Sequence, residues 1–124
     1  MPLPADFTDI KRSGPPTTKN GSEWEVPLSG EPPREWVRAF NDPGEYSTVA
    51  VPQGVMFQPG RLIFRSSPEH VAHWVDYIDK WAARSNETYR RWLDQAHRAA
   101  EQHRRAQEAE AERVRDLNDR FKNL

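Results

Sequence analysis

The chain contains no cysteine among its 124 residues. This absence excludes disulfide bonds, a thiolate nucleophile and any cysteine-based metal site. No run of apolar residues approaches the roughly 18 that a membrane-spanning helix requires. Residues 1–14 also lack the basic stretch followed by an apolar stretch that marks a secretion signal. We therefore expect a cytoplasmic protein without a membrane segment.

An excess of charge of one sign is also missing. The formal net charge is −1, with 18 Lys and Arg against 19 Asp and Glu, so no overall basic field attracts nucleic acid or anionic lipid. Gly-rich phosphate loops, nucleophile elbows and Ser/His/Asp spacings do not occur. The sequence therefore lacks the common signatures of phosphate-binding and hydrolytic enzymes.

Two small polar groups in the second half of the chain are candidate sites. His70, His73 and Asp76 follow one another at helical spacing, but they diverge around the helix and no second element supplies a ligand. Asp76 and Asp79 lie next to Lys80 on the polar side of the same helix, where no cleft is implied. We expect no metal, no cofactor and no enzyme activity.

Aromatic residues are plentiful, with five Trp, three Tyr and five Phe. Only 35% of the residues are apolar and 30% are charged, so the hydrophobic core must be small. Each aromatic ring buries a large area, however, which favours a compact core. Residues 1–22 are rich in Pro, Gly and small polar residues and predict a flexible N-terminal arm. A small α+β domain over residues 23–85, which includes the start of a long helix, is expected to hold the rings.

Local patterns in that domain predict a β-α-β-β order. Alternation from Trp24 to Leu28 indicates a strand, and Pro27 suggests a sheet edge. A short helix from Arg34 to about residue 41 follows, then a strand over 46–51 and a hairpin over 55–65 that turns at Pro59-Gly60. Both helices are expected on one face of an antiparallel or mixed sheet. The predicted fold class is α+β.

The last element is a long helix that begins at Ser67-Pro68, a strong helix start. Neither Gly nor Pro occurs after Pro68, so we expect one helix, largely projecting beyond the small domain over residues 86–124. A hinge at Ser85-Asn86, two residues that favour helix caps, is the alternative. Forward acid-to-base pairs such as Asp94 to Arg98 support a solvated helix.

One apolar stripe runs along this helix, and its distal part has no domain left to cover. The 3-4-3 spacing of Val114, Leu117, Phe121 and Leu124 predicts packing against a partner helix. The candidate contact residues are Tyr89, Trp92, Ala96, Val114, Leu117, Phe121 and Leu124. The sequence thus favours a non-enzymatic interaction or assembly protein that associates through this helix.

The partner is either another copy of the chain or a foreign helix. Two copies paired antiparallel, with facing residue numbers that sum to about 210, place Tyr89 against Phe121 and Ala96 against Val114. The segment around residues 90–105 has a net positive charge, and in this pairing it faces the acidic segment from Glu108 to Asp119. The stripe repeats after 36 residues, from Ile78 to Val114, which favours nearly straight packing over a left-handed coiled coil.

A nucleic-acid-associated accessory protein is the second hypothesis. Arginines can bind phosphates while neighbouring aromatic rings stack on bases. The candidate contacts in residues 84–105 are Arg84, Arg90, Arg91, Arg98, Arg104 and Arg105. Glu87, Asp94 and Glu101 share the same polar face, so these arginines do not form a clean basic stripe and the hypothesis ranks below helix pairing.

Overall fold

The computed structural model of the chain describes residues 7–42 and 49–124. Its elements are strands β1 (Thr17–Thr18) and β2 (Glu23–Pro27), helix α1 (Arg34–Phe40), strands β3 (Met56–Gln58) and β4 (Arg61–Arg65), and helix α2 (Val71–Phe121). Short 3-10 turns cover Pro52–Gly54 and Pro68–His70. The predicted α+β class and the long C-terminal helix are confirmed.

The four strands form one antiparallel sheet in the order β1-β2-β4-β3. Strand β4 therefore lies inside the sheet, and its Leu62, Ile63 and Phe64 are all buried. The predicted hairpin between β3 and β4 is confirmed. Gly60 in its turn has a φ of 73°, a left-handed conformation that glycine adopts without strain and that a type II turn requires.

Two strand predictions need correction. Strand β2 is not at the edge of the sheet, because Thr17 and Thr18 pair with its Glu25 and Trp24. The strand predicted over 46–51 lies partly outside the described residues, and its remaining residues 49–51 are not in a strand. They lead instead into the 3-10 turn at Pro52–Gly54, where Gly54 donates its backbone N–H to the Val51 carbonyl.

Both helices pack on one face of the sheet, as predicted. Trp36 and Phe40 of α1 lie against Phe57 of β3, with ring centroids 6.0 and 5.0 Å apart. Trp74 of α2 stacks on Phe64 of β4 at 5.2 Å. Since Phe57 and Phe64 point to the same side of neighbouring strands, these aromatic residues form one core between sheet and helices.

Residues 7–22, which we expected to belong to a flexible arm, have defined contacts. Ile10 is 4% exposed, and the segment runs antiparallel to β2 through a bridge between Arg12 and Leu28. The turn before β2 is closed by the Asn20 side chain, which accepts hydrogen bonds from the backbone N–H groups of Ser22 and Glu23. Asn-Gly at 20–21 is a typical hairpin signal, and this turn joins β1 to β2, so residues 7–22 are not a loose arm.

The chain divides into two compact units, which contain the described residues 7–90 and 91–124 respectively. In the first unit, α2 contributes the buried residues Val71, Trp74, Ile78, Trp81, Ala82, Ser85, Asn86 and Tyr89 at the three- and four-residue spacing of one helix face. The second unit is the rest of α2 and the three residues that follow it. Helix α2 is continuous through Ser85-Asn86, so the alternative of a hinge there is wrong.

Candidate protein-interaction surface

The polar pair Ser85-Asn86 forms hydrogen bonds inside the first unit. The Asn86 side chain accepts hydrogen bonds from the Ile10 backbone N–H at 2.9 Å and the Trp36 indole N–H at 2.8 Å, and it donates to the Ile10 carbonyl at 3.0 Å. Ser85 donates its hydroxyl to the Trp81 carbonyl one turn earlier. Asn86 therefore ties the N-terminal segment and α1 to the long helix.

The same N-terminal segment covers Tyr89, which the sequence analysis placed among the partner contacts. The ring of Phe7 meets the ring of Tyr89 edge-on with centroids 4.6 Å apart, and Tyr89 is only 3% exposed. Burial, followed by the negative charge of Glu35, raises the pKa of the Tyr89 hydroxyl above its ordinary value. Tyr89 thus belongs to the core of the first unit and offers no surface to another molecule.

The remaining predicted contacts differ in exposure. Trp92 is 39% exposed and Ala96 is half-buried. Val114 is 41% exposed, Leu117 is half-buried, Phe121 is 53% exposed and Leu124, just beyond the helix end, is fully exposed. We call Val114, Leu117, Phe121 and Leu124 the apolar row. The spacing of Val114, Leu117 and Phe121 places these three within about 60° on one side of a helix that turns 100° per residue, and Leu124 follows the last helical residue by three positions.

Small residues precede the apolar row on the same side of the helix. A shallow depression in the surface is lined by His103, Ala106, Gln107, Glu110, Ala111 and Val114. Two of its lining residues, Ala106 and Ala111, have small side chains, so another backbone or a bulky side chain can approach closely there. One side of the second unit therefore has small side chains at Ala106 and Ala111 and larger apolar side chains from Val114 to Phe121.

Ion pairs within the helix occur along the second unit. Arg98 binds Asp94 at 2.8 Å and Arg105 binds Glu101 at 3.1 Å, which confirms two of the forward pairs predicted from the sequence. Arg104 joins Glu101 and Glu108, and Arg113 binds Glu110 at 2.6 Å. Hydrogen bonds from these arginines lower the pKa of the Glu101 and Glu110 carboxyls.

These pairs also bear on the six arginines of the nucleic-acid hypothesis. Arg98, Arg104 and Arg105 hold carboxylates of their own helix. Arg90 binds the Asp9 carboxylate and lies over the Phe7 ring, while Arg84 and Arg91 are exposed. Because most of this set already has an anionic partner, binding a phosphate would require breaking an existing pair. The arrangement does not favour a nucleic-acid surface.

A recess in the first unit resembles a ligand site in shape. It lies between the N-terminal segment and α2 and is lined by Asp9, Ile10, Lys11, Arg12, Asp79, Ala82, Ala83, Asn86, Glu87 and Arg90. Arg12 forms a two-bond pair with Asp79, with both N–O distances 3.0 Å, and Arg90 binds Asp9. Two ion pairs therefore cross the recess, as expected where a segment docks on a helix.

The histidines and aspartates that the sequence analysis singled out do not form a common site. The ring of His73 contacts the ring of Tyr77 at 4.9 Å, and Asp76 pairs with Lys80 at 3.2 Å. Over residues 7–42 and 49–124, there is no group of three or more His, Asp or Glu side chains arranged to hold a metal ion. Among those same residues, no helix is both long and apolar enough to cross a membrane.

Fold and surface together define a small α+β domain whose last helix continues as a charged segment with one apolar face. Comparison of the chain with models of protein families, with curated proteins and with solved structures finds no match. The function must therefore be inferred from the surface itself.

Proposed function

We propose that the protein is a non-enzymatic interaction or assembly component that binds another helix through the distal part of α2. The observation that carries this proposal is the apolar row, in which Val114 and Phe121 are 41% and 53% exposed while Leu117 lies between them on the same side. Single exposed apolar residues are common on protein surfaces. Several aligned on one helix face are the pattern of a helix that packs against another.

A solvated spacer helix would not require this alignment. The ion pairs of Arg98, Arg104 and Arg113 with acids three or four residues away support a helix without any help from apolar residues. The row contributes little to the stability of such a spacer, because much of its surface stays in water. A partner that covers the row gains the free energy of burying it.

The gain from covering the row can be estimated. Full burial of a Val, Leu or Phe side chain contributes roughly 1.5–3 kcal/mol, but the helix itself already shields about half of the Val114 and Phe121 surfaces. We therefore expect about 1 kcal/mol from each of the four residues of the row. This amount sustains a complex only if the partner offers a comparable apolar face, as a second amphipathic helix does.

In-cell photo-crosslinking tests this function and captures the partner whatever its identity. A photoreactive phenylalanine analogue is placed at Leu117, in the row, and in a second variant at Glu112, which lies on the opposite side of the helix at 100° per residue. We expect a defined protein adduct from position 117 and none from position 112. Equal adducts from both positions, or none from either, would overturn the proposal.

A further inference from the structure

We infer that the helix bound by the distal part of α2 is the same segment of a second copy, paired antiparallel so that facing residue numbers sum to 213. This inference rests on the proposed function and names its partner. It also replaces the register of about 210 suggested by the sequence, because that register used Tyr89, which is covered by Phe7. Trp92 is the first partly exposed aromatic residue of the stripe beyond Tyr89.

The spacing of the exposed face is the first argument. The residues that follow one side of the helix are Trp92, Ala96, Ala99, His103, Glu110, Val114, Leu117 and Phe121. Their intervals are 4-3-4, then 7, then 4-3-4, which is the same sequence of intervals in either direction. Two copies related by a two-fold axis between residues 106 and 107 therefore bring every one of these positions opposite another.

The sizes of the facing residues are the second argument. In this register Ala96 faces Leu117 and Ala99 faces Val114, so each of these two layers combines a small side chain with a large one, while Trp92 faces Phe121 in the outer layer. A parallel pair in register would place Ala96 against its own copy and Phe121 against its own copy, leaving gaps at one end and crowding at the other. Even filling of successive layers is what close packing demands.

Charge is the third argument. Residues 91–106 contain four arginines and two carboxylates, whereas residues 107–122 contain five carboxylates and four cations. These two segments face each other in the antiparallel register, so a segment of net charge +2 meets one of net charge −1. In the central layers His103 faces Glu110, and both residues line the depression that receives the partner helix.

The seven-residue step between His103 and Glu110 determines the shape of the pair. A left-handed coiled coil alternates steps of three and four, and a central step of seven flanked by fours on both sides adds a stutter that unwinds it. The stutter lies on the two-fold axis, so both halves are affected equally. The two helices are therefore expected to run nearly straight where they cross.

The natural absence of cysteine makes disulfide trapping in the full chain a direct test. Ala99→Cys and Val114→Cys chains are mixed and oxidised mildly, and the products are separated by mass. The antiparallel register predicts mainly the mixed 99–114 disulfide. Positions 99 of the two copies are then 15 residues apart along the axis, about 22 Å at 1.5 Å per residue, which is too far for a disulfide.

Sedimentation equilibrium of the unmodified chain accompanies the trapping. We expect a species of twice the 14.4 kDa chain mass. Phe121→Lys should raise its dissociation constant on the order of 100-fold, because each dimer contains the substitution twice. Glu112→Gln, which changes the net charge by the same amount on the opposite helix face, should leave the constant within about twofold.

The outcomes separate this inference from the function on which it rests. Disulfides joining like positions, 99 to 99 and 114 to 114, would refute the antiparallel register but keep helix pairing. A monomer at several hundred micromolar, combined with an in-cell adduct from position 117 to a different protein, would refute self-pairing and keep the proposed function. A monomer with no adduct would overturn both.

Discussion

Replacement of Asn86 by alanine should destabilise the first unit more than any other single polar substitution there. Asn86 is 3% exposed and its amide satisfies three groups: the Ile10 N–H, the Ile10 carbonyl and the Trp36 indole N–H. Each buried polar group left without a partner costs roughly 1–3 kcal/mol. Water that enters the vacated space recovers part of this cost, so we expect a loss of about 3–5 kcal/mol in the free energy of unfolding.

The measurement is urea unfolding followed by tryptophan fluorescence, because Trp36, Trp74 and Trp81 are all buried in the first unit. Helical circular dichroism is less suitable, since the second unit contributes much of that signal. A loss of this size would be a large share of the roughly 5–15 kcal/mol that stabilises a typical domain. The transition midpoint should therefore fall markedly.

Ser85→Ala is the matched control. Ser85 is 1% exposed, next to Asn86 on the same helix, but its hydroxyl bonds only to the Trp81 carbonyl, which the ordinary helix hydrogen bond also satisfies. We expect a change below about 1 kcal/mol. If Asn86→Ala costs no more than Ser85→Ala, the reasoning about the three orphaned groups is refuted.

Asn86→Asp adds a pH dependence whose sign follows from the same geometry. An aspartate accepts from Ile10 N–H and Trp36 N–H, but only its protonated form can donate to the Ile10 carbonyl that the amide now serves. Its pKa should therefore be raised in the folded state. The variant should be most stable below about pH 4, the unfolded pKa of Asp, and should lose stability as the pH rises through the folded pKa.

Two further predictions concern side-chain packing. Gly54→Ala places a methyl group 2.9 Å from the Trp74 ring and should cost about 1–3 kcal/mol of unfolding free energy in the urea assay. Gly30→Ala, with open space around it, should be nearly neutral in the same assay. The Tyr89 hydroxyl should ionise above its ordinary pKa of 10.0, because burial and then Glu35 disfavour the phenolate. Absorbance at alkaline pH should show this late titration, and fold stability should fall as the pH rises above that ordinary value; a Tyr89 that titrates at its ordinary pKa would contradict the described burial.

Elements with strong local signals could be predicted from the sequence. Pro59-Gly60 places a turn between two apolar runs, and the observed hairpin turns there with Gly60 at positive φ. Ser67-Pro68 marks the start of the last helix, which then continues without Gly or Pro to Phe121. In each case the determining residues are adjacent in the chain.

The N-terminal segment shows why other features were missed. Its composition of Pro, Gly and small polar residues is typical of disorder, but Asn20-Gly21 forms a hairpin turn and Ile10 fills a place beside Asn86. Ile10 and Asn86 are 76 positions apart, so no local pattern could pair them. Likewise, Tyr89 was predicted to contact a partner because Phe7, the residue that covers it, lies 82 positions earlier in the sequence.

The hydrogen bonds between Ile10 and Asn86 also set an order of events during synthesis. Contacts between residues so far apart in sequence form late, because closing a long loop must precede them. Ile10 leaves the ribosome before the strands of the sheet, and its partner Asn86 emerges only after all four of them have been made. Until the helix that carries Asn86 has been made, the N–H and carbonyl of Ile10 therefore lack these partners, and the first unit cannot complete its core. A nascent chain that stops before Asn86 should thus leave the segment around Ile10 undocked, even when all four strands are present.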